Sequence, residues 1–393
     1  MVAKRDLTDV GGDDSGGVGA PQRTPRLTIS AIDTIPLRVP LSREYRGSRY
    51  RMTNRCTIVT RVMTREGVIG QVYNGDEDDT QAAVLRIIKE ELAPLLIGQD
   101  AGRIERCWEV MLPATFDILR DRKLATSAIA CVDSALWDAV GKALNIPLMR
   151  LWGGYRDDLP MIAIGGYYGT THAELAKEME FYLHLELAGC KFKVGGLAPE
   201  DDAARCRAAR EAAGPDFILV VDANQGYTPA EAVRFCRLTA DLNLRWFEEP
   251  CRWYNDRRGM REVRLMTGIP VAAGQSEISA SAARDLMVDG AIDVCNFDSS
   301  WGGGPTEWRR VAAMAQVFGI QMAHHEEPQI AAHLLGAVAN GTYVECFHPD
   351  RDPIFWNVIS NRPPIKGGRY RIPTGGGFGL ELDEDFIARY RAS

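Results

Sequence analysis

The order of apolar and polar positions divides the chain into two regimes. From Leu27, LTISAIDTIPLRVPL alternates as a strand does, and CTIVTRVMTREGVIGQVYNG reads as a hairpin turning at Glu66-Gly67. Between them, Ser42 to Asn54 is polar and rich in Arg and Tyr, which predicts a long loop. Helical periodicity follows over about 78–95, 102–119 and 124–145, so strands precede helices as in an α+β domain. From Leu159 the pattern changes. Short apolar runs recur, most of them separated by amphipathic segments of helix length: LPMIAIGG, CKFKVGG, FILVVDAN, LRWFEEP, IPVAAGQSE, IDVCNFD, IQMAHH and TYVECF. Eight such units predict a (β/α)8 barrel whose last unit is degenerate, since little helix is evident after Phe347.

The expected organisation is a flexible tail over 1–25, a capping domain over 26–145, a barrel over 146–365, and a segment over 366–393 that turns strand-like and packs back on the cap. Composition narrows the function. The 46 Lys+Arg stand against 53 Asp+Glu, a net charge of -7 with no basic block, which argues against nucleic acid as a partner. No apolar stretch is long enough to span a bilayer, and MVAKRDLTDVGGDDSGG has no apolar core of a signal peptide. The nine Cys form no CxxC pair and read as reduced thiols, so a cytoplasmic location is expected.

Catalytic groups of such a barrel sit at the C-terminal ends of its strands. Those ends hold Lys191 and Lys193, Asp222, Glu248, Glu277, Asp298, His325 and Glu345. A single charged strand end is usually a solvated loop residue; seven strands in succession ending so implies groups converging on one mouth. Asp222, Glu248 and Glu277, from adjacent strands, can supply hard oxygen ligands to Mg²⁺. Lys191 and Lys193 at i and i+2 share a face, where two ammonium groups and a divalent ion depress each other's pKa and fit Lys193 as a general base. KFK alone would be an ordinary polar strand end; the metal context changes that. Asp298 can orient His325 and raise its basicity. His324 points the other way, His333 reads as packing in a helix, and His172, His184 and His348 read as surface. Glu345, inside an apolar strand, can stay protonated and donate to a developing oxyanion.

Together these residues resemble the enolase superfamily, in its mandelate racemase-like subgroup, over about 27–390. KFK matches the family's K-x-K. DAN at 222–224 and EEP at 248–250 match its first two metal motifs, NFD and AHH its His–Asp dyad, and Glu345 its electrophilic acid. SAIACVDSALWDAVGKALNIPLMRLWGG resembles the family's helix leading into the barrel. One departure stands out. The family's third ligand is a Glu directly after a Gly, whereas Gly274 is followed by Gln275, Ser276 and Glu277. Glu277 is expected as the ligand because a third anion better offsets Mg²⁺, with the amide of Gln275 as the alternative.

The resemblance implies abstraction of the proton α to a carboxylate, with Mg²⁺ (Mn²⁺ able to substitute) and Glu345 stabilising an enediolate. No nucleotide or organic cofactor is implied, and the partners are a small carboxylate and further copies of the chain. With Lys193 and His325 on opposite faces of the substrate, two outcomes stay open: racemisation or epimerisation, and loss of a β-hydroxyl to a 2-keto-3-deoxy acid. The polar loop holds Arg43, Tyr45, Arg46, Arg49, Tyr50 and Arg51, groups suited to hydroxyls and carboxylates. With Asn224 and Trp301 as further substrate contacts, this favours an acid-sugar dehydratase. Trp356 is a further candidate pocket residue. A Schiff-base aldolase would leave the carboxylates unexplained, and intact Lys193, Asp298 and His325 argue against a non-catalytic sensor. GGGFG at 375–379 lacks the spacing of a dinucleotide loop.

Overall fold

Alternation in Ile29–Arg46 (β1) and Arg51–Thr64 (β2) sets an antiparallel register with Ile35 opposite Val59, and Ile69–Asn74 (β3) completes a three-stranded cap sheet. The computed structural model describes residues 26–75 and 80–392, so the expected flexible tail over 1–25 lies outside the described residues. The polar stretch Ser42 to Asn54 is not a long loop. Pairing continues through Tyr45–Met52 and Arg46–Arg51, leaving only a turn at 47–50 closed by Gly47 N donating to Tyr50 O at 3.0 Å. Polar residues on both faces erase the alternation by which a strand is read, although the ladder itself persists.

The first cap helix runs from Gln81–Ile87 through a π turn to Ala93–Leu96, the start of its expected span lying outside the described residues. The second, Ile104–Met111, ends in a 3-10 turn at Leu112–Thr115, shorter than expected because Pro113 has no N–H with which to continue the ladder. The third, Arg122–Leu144, starts where Asp121 accepts from Lys123 N at 2.9 Å and stops at left-handed Asn145. It lies directly on β3: a Cβ on Gly70 would stand 2.1 Å from Ala135 O.

The barrel strands are Asp158–Gly165 (β4), Gly189–Lys193 (β5), Ile218–Asp222 (β6), Phe247–Glu248 (β7), Val271–Ala273 (β8), Val294–Cys295 (β9), Gln321–Met322 (β10) and Val344–Phe347 (β11). Neighbours from β4 to β10 pair in parallel, and β11 closes on β4. Two intervening helices begin with capping boxes, Thr171 with Glu174 and Thr228 with Glu231, whose spacing is legible in the sequence. Ile162, Val220, Trp246, Ala272, Val294 and Ala323 fill the lumen. As expected, the last unit is reduced, to the single turn Pro353–Asn357.

Ile365–Lys366 (β12) and Arg369–Arg371 (β13) return antiparallel along the start of β4. The glycine-rich loop then meets the third cap helix, Asp138 accepting from Phe378 N at 2.8 Å. The chain ends in the helix Glu384–Tyr390 against β1, where a strand was expected: Asp383 caps Phe386 N, and Ile387 supplies the buried face. No helix among the described residues is long and apolar enough to cross a membrane.

His333 ties this closure together. Its Nδ1 accepts from Met149 N at 3.1 Å and its Nε2 faces Phe378 O at 3.0 Å, a neutral ring in a buried bridge. Burial lowers its pKa to about 4. Between that value and the ordinary 6.5, the unfolded chain binds a proton that the folded chain refuses, so stability falls as pH falls through this window. Chemical denaturation at pH 7 and pH 4.5 should show this loss, about 3 kcal/mol at most, and His333→Gln should flatten it.

Candidate active site

Side chains two residues beyond the lumen layer emerge at the barrel mouth, since strand residues at i and i+2 share a face. Val220 is followed in this way by Asp222, Trp246 by Glu248, Ala323 by His325, and Tyr343 by Glu345. Lys191 and Lys193 stand at i and i+2 on β5. All of these mouth groups are buried.

Charge pairs order them. Lys191 Nζ lies 2.7 Å from Glu248 Oε1 and 2.8 Å from Glu345 Oε1, and Lys193 Nζ lies 2.7 Å from Asp222 Oδ2. Burial disfavours both ammonium ions, but the carboxylates outweigh it: Glu248, Glu345 and Asp222 raise the pKa of Lys191, and Asp222 raises that of Lys193. The depression expected from two adjacent ammonium groups is therefore reversed, because each lysine has an anion closer than the other lysine. Burial, with the charges of Asp222 and Glu345, pushes the Glu248 carboxyl up to about 8 even with Lys191 against it. Asp222 also accepts from Asn224 N at 2.8 Å and from Asn224 Nδ2 at 3.1 Å, while Asn224 Oδ1 is buried with no hydrogen-bond partner.

On the other side of the mouth, His325 Nδ1 lies 2.9 Å from Asp298 Oδ2 and Nε2 lies 3.2 Å from Glu326 Oε1. Burial lowers the pKa of this imidazole, yet Glu326 and Asp298 together lift it well above the ordinary value. Trp301 packs at 4.9 Å from the His325 ring, with Lys123 Nζ 3.4 Å from the indole. His324 turns away onto Ser299 Oγ at 2.7 Å.

Glu277 is not brought to Asp222 and Glu248. It is half-buried, and the charges that act on it are Asp256, Arg257 and Asp285 beside the neighbouring helices. The cause is local. Gly274 has φ +144, and a Cβ there would stand 2.9 Å from Phe297 N, so only glycine makes this turn. The turn leaves Gln275, not Glu277, buried at the strand end, its Oε1 facing Asn296 Nδ2 at 3.3 Å. Among the described residues no three His, Cys, Asp or Glu side chains are grouped to hold a metal ion.

The cap contributes less than expected. Arg46 and Arg51 are exposed and turn to Glu44; Tyr45 is buried edge-on against Tyr167 at 5.2 Å. The turn between them does reach the mouth: Ser48 Oγ donates to Ala223 O at 2.8 Å, and Lys193 Nζ lies 5.7 Å from the Tyr50 ring. Trp356 instead donates to Phe347 O at 2.9 Å.

Three acidic neighbours were not singled out from the sequence. Glu249 is buried under Ser276 Oγ at 2.6 Å, and burial, then Asp222, pushes its pKa up to about 7. Glu326 touches His325, and Glu327 pairs at 3.4 Å with buried Arg55 of the cap. The signal was present as a repeat: EEP occurs at 248–250 and again at 326–328, directly after HH. Five of the eight non-glycine residues with positive φ among the described residues lie at this mouth: Asn224, Gln225, Glu249, Glu326 and Glu327. Strained backbone gathers at functional sites.

A capped (β/α)8 barrel whose mouth joins acid–base pairs to buried carboxylates defines an enolase-like architecture. Residues 173–386 match the enolase C-terminal domain-like family, and residues 32–153 match the mandelate racemase/muconate lactonizing enzyme N-terminal domain. The chain belongs to the mandelate racemase/muconate lactonizing enzyme family of the enolase superfamily. It is 28% identical over 344 residues to an arabinonate dehydratase of Saccharolobus solfataricus, covering 85% of this chain and 90% of the relative. It is 31% identical over 318 residues to a 3,6-anhydro-alpha-L-galactonate cycloisomerase of Streptomyces coelicolor, covering 81% and 88%. A solved mandelate racemase/muconate lactonizing enzyme from a marine actinobacterium, in complex with magnesium, superposes with a TM-score of 0.89 at 57% identity, covering 93% of this chain and all of that one.

Proposed function

We propose that this chain is a magnesium-dependent acid-sugar dehydratase. The carrying observation is the pairing of two proton-transfer groups in one buried mouth, Lys193 on Asp222 and His325 on Asp298. The dehydratase and cycloisomerase among its relatives act on sugar acids by their names, which supports the substrate class. Its nine buried thiols, none in a disulfide, suit a reducing cytoplasm.

The donor set fits a hard divalent cation. Asp222 and Glu248 are buried neighbours, Asn224 Oδ1 is an orphaned oxygen beside them, and Glu248 sits in surroundings that favour added positive charge. Asp222, Glu248 and the Gln275 amide are the residues that would hold it. Bound there, magnesium would draw the substrate carboxylate in, stabilise the charge that builds on it and offset the Asp222 charge that keeps Lys193 protonated.

Lys193 takes the proton from C2 into its Nζ lone pair. Lys191, held between Glu248 and Glu345, keeps a positive charge beside the carboxylate as loss of the C2 proton turns it into an enediolate-like form, and Glu345 shares that mouth. His325 gives its Nε2 proton to the C3 hydroxyl, the C3–O bond breaks, and water leaves. The resulting enol tautomerises to a 2-keto-3-deoxy acid. Tyr50 lies 5.7 Å from the Lys193 amine and Trp301 4.9 Å from the His325 ring, one aromatic beside each proton-transfer group.

A panel of aldonates and aldarates incubated with magnesium in D₂O tests this. A 2-keto acid product carrying solvent deuterium is expected; neither exchange nor turnover with any member would refute the assignment. For the ligand set, Glu277→Gln should leave magnesium affinity by calorimetry unchanged, and Gln275→Leu should weaken it by about 10–100-fold. The reverse pattern would restore Glu277 as the ligand.

A further inference from the structure

Both ring nitrogens of His325 face carboxylates, Asp298 at 2.9 Å and Glu326 at 3.2 Å. An ionised carboxylate accepts and does not donate, so both nitrogens are placed to donate, which is the arrangement of an imidazolium. The second carboxylate is there by construction. Glu326 and Glu327 follow His325 with φ of +54 and +48, a left-handed pair that a non-glycine chain adopts only when its surroundings hold it. The holding groups come from elsewhere in the fold. Glu326 N donates to Glu345 Oε2 at 3.0 Å, Arg55 Nη2 of the cap lies 3.4 Å from Glu327 Oε1, and Gln329 donates to the other oxygen of Glu327.

The charges around the ring are mixed. Asp298 comes from the loop after β9, Lys191 from β5 and Glu249 from the end of β7. Arg55 of β2 and Arg351, beyond β11, act on Glu326. Lys123, at the start of the third cap helix, stands over the Trp301 ring. Against these four cations from other elements, the two contacting carboxylates favour a protonated ring.

We propose that Glu326 is a positioning residue that holds His325 as an aimed imidazolium, so that His325 gives a proton to a leaving hydroxyl and does not take one from C2. This rests on the proton-abstraction reading above and deepens it, because it decides between that reading's two outcomes. Racemisation through two bases needs a neutral imidazole for one direction; an imidazolium held by two carboxylates serves elimination. In that step the Nε2 proton passes to the C3 hydroxyl, whose oxygen leaves with the C3–O bonding pair as water. The neutral ring then recovers a proton from solvent.

The first test needs no substrate. The chain holds six histidines, so the His325 ring is assignable by its disappearance in His325→Asn. Nitrogen NMR should find wild-type His325 doubly protonated at pH 8. Glu326→Gln, nearly isosteric, should lower its titration by about 1–3 units, and Glu326→Asp should retain part of the shift. A wild-type ring that is neutral at pH 7, or one that titrates identically in the Glu326→Gln variant, overturns the proposal. In D₂O with a turned-over acid sugar, Glu326→Gln should raise the ratio of C2 exchange to elimination by roughly tenfold, the mark of a histidine freed to act as a base. An unchanged ratio also overturns it. If no acid sugar exchanges, the functional reading falls, and the titration still decides the role of Glu326.

Discussion

Lys193→Ala should abolish C2 proton exchange and turnover together, by about 10²–10⁴-fold, with the fold retained. The amine is 3% exposed, 2.7 Å from Asp222 and 5.7 Å from the Tyr50 ring of the cap turn. Alanine at this position removes the proton acceptor and leaves Asp222 with its two Asn224 contacts, so magnesium should still bind. Deuterium wash-in at C2 and a magnesium titration, run on the same preparation, separate these effects. A variant that still exchanges C2 at the wild-type rate would move the base elsewhere, with His325 the remaining candidate. His325→Asn should instead keep C2 exchange and lose elimination, because the two residues handle different protons.

The second large effect is on stability. Lys191 is fully buried between Glu248 and Glu345, at 2.7 and 2.8 Å. Replacing it with Met keeps most of its volume but leaves two buried carboxylates without their shared cation. Breaking a buried ion pair in this way costs about 3–5 kcal/mol. Denaturant unfolding in the presence of a chelator should show that loss, and added magnesium should narrow the gap to wild type, since it binds the same carboxylates. The pH dependence should also change. Burial and like charge already push Glu248 up to about 8, and without Lys191 it should be protonated over a still wider range. The raised carboxyl binds protons in the folded chain that the unfolded chain has released; wild type does so below about 8 and the variant from a higher pH, so the variant's deficit should shrink as pH falls towards 8. A Lys191→Met chain as stable as wild type in chelator would mean that the ammonium is not the counter-charge of this mouth.

The barrel was legible because each strand is a short apolar run and each helix a periodic one, and because charged residues at the ends of apolar strands are conspicuous. That was sufficient to find Lys191, Lys193, Asp222, Glu248, Asp298, His325 and Glu345, which the structure brings together. It failed where the backbone leaves the strand. Gly274 turns the chain so that the residue next to it, and not the acid three positions on, ends at the mouth. Glu249 and Glu326 were passed over because alternation assigns a residue beside a mouth residue to the opposite face, whereas a left-handed φ rotates it back. Arg55 lies between a stretch read as loop and the hairpin that follows, and nothing local marks it as a buried cation that meets Glu327 and Asp352 from nearly 300 residues away.

The sequence alone therefore determined the family, the barrel, and the chemical identity of the groups at its mouth, since these depend on local period and residue type. Tertiary structure decided which neighbour each charge meets: that the lysines rest on carboxylates and are raised rather than depressed, that most of the arginines of the cap hairpin face outward, and that His325 is held from both sides. Those outcomes depend on distances of about 3 Å between residues far apart in the chain, and an ionisable group takes its protonation from the charge nearest to it in space.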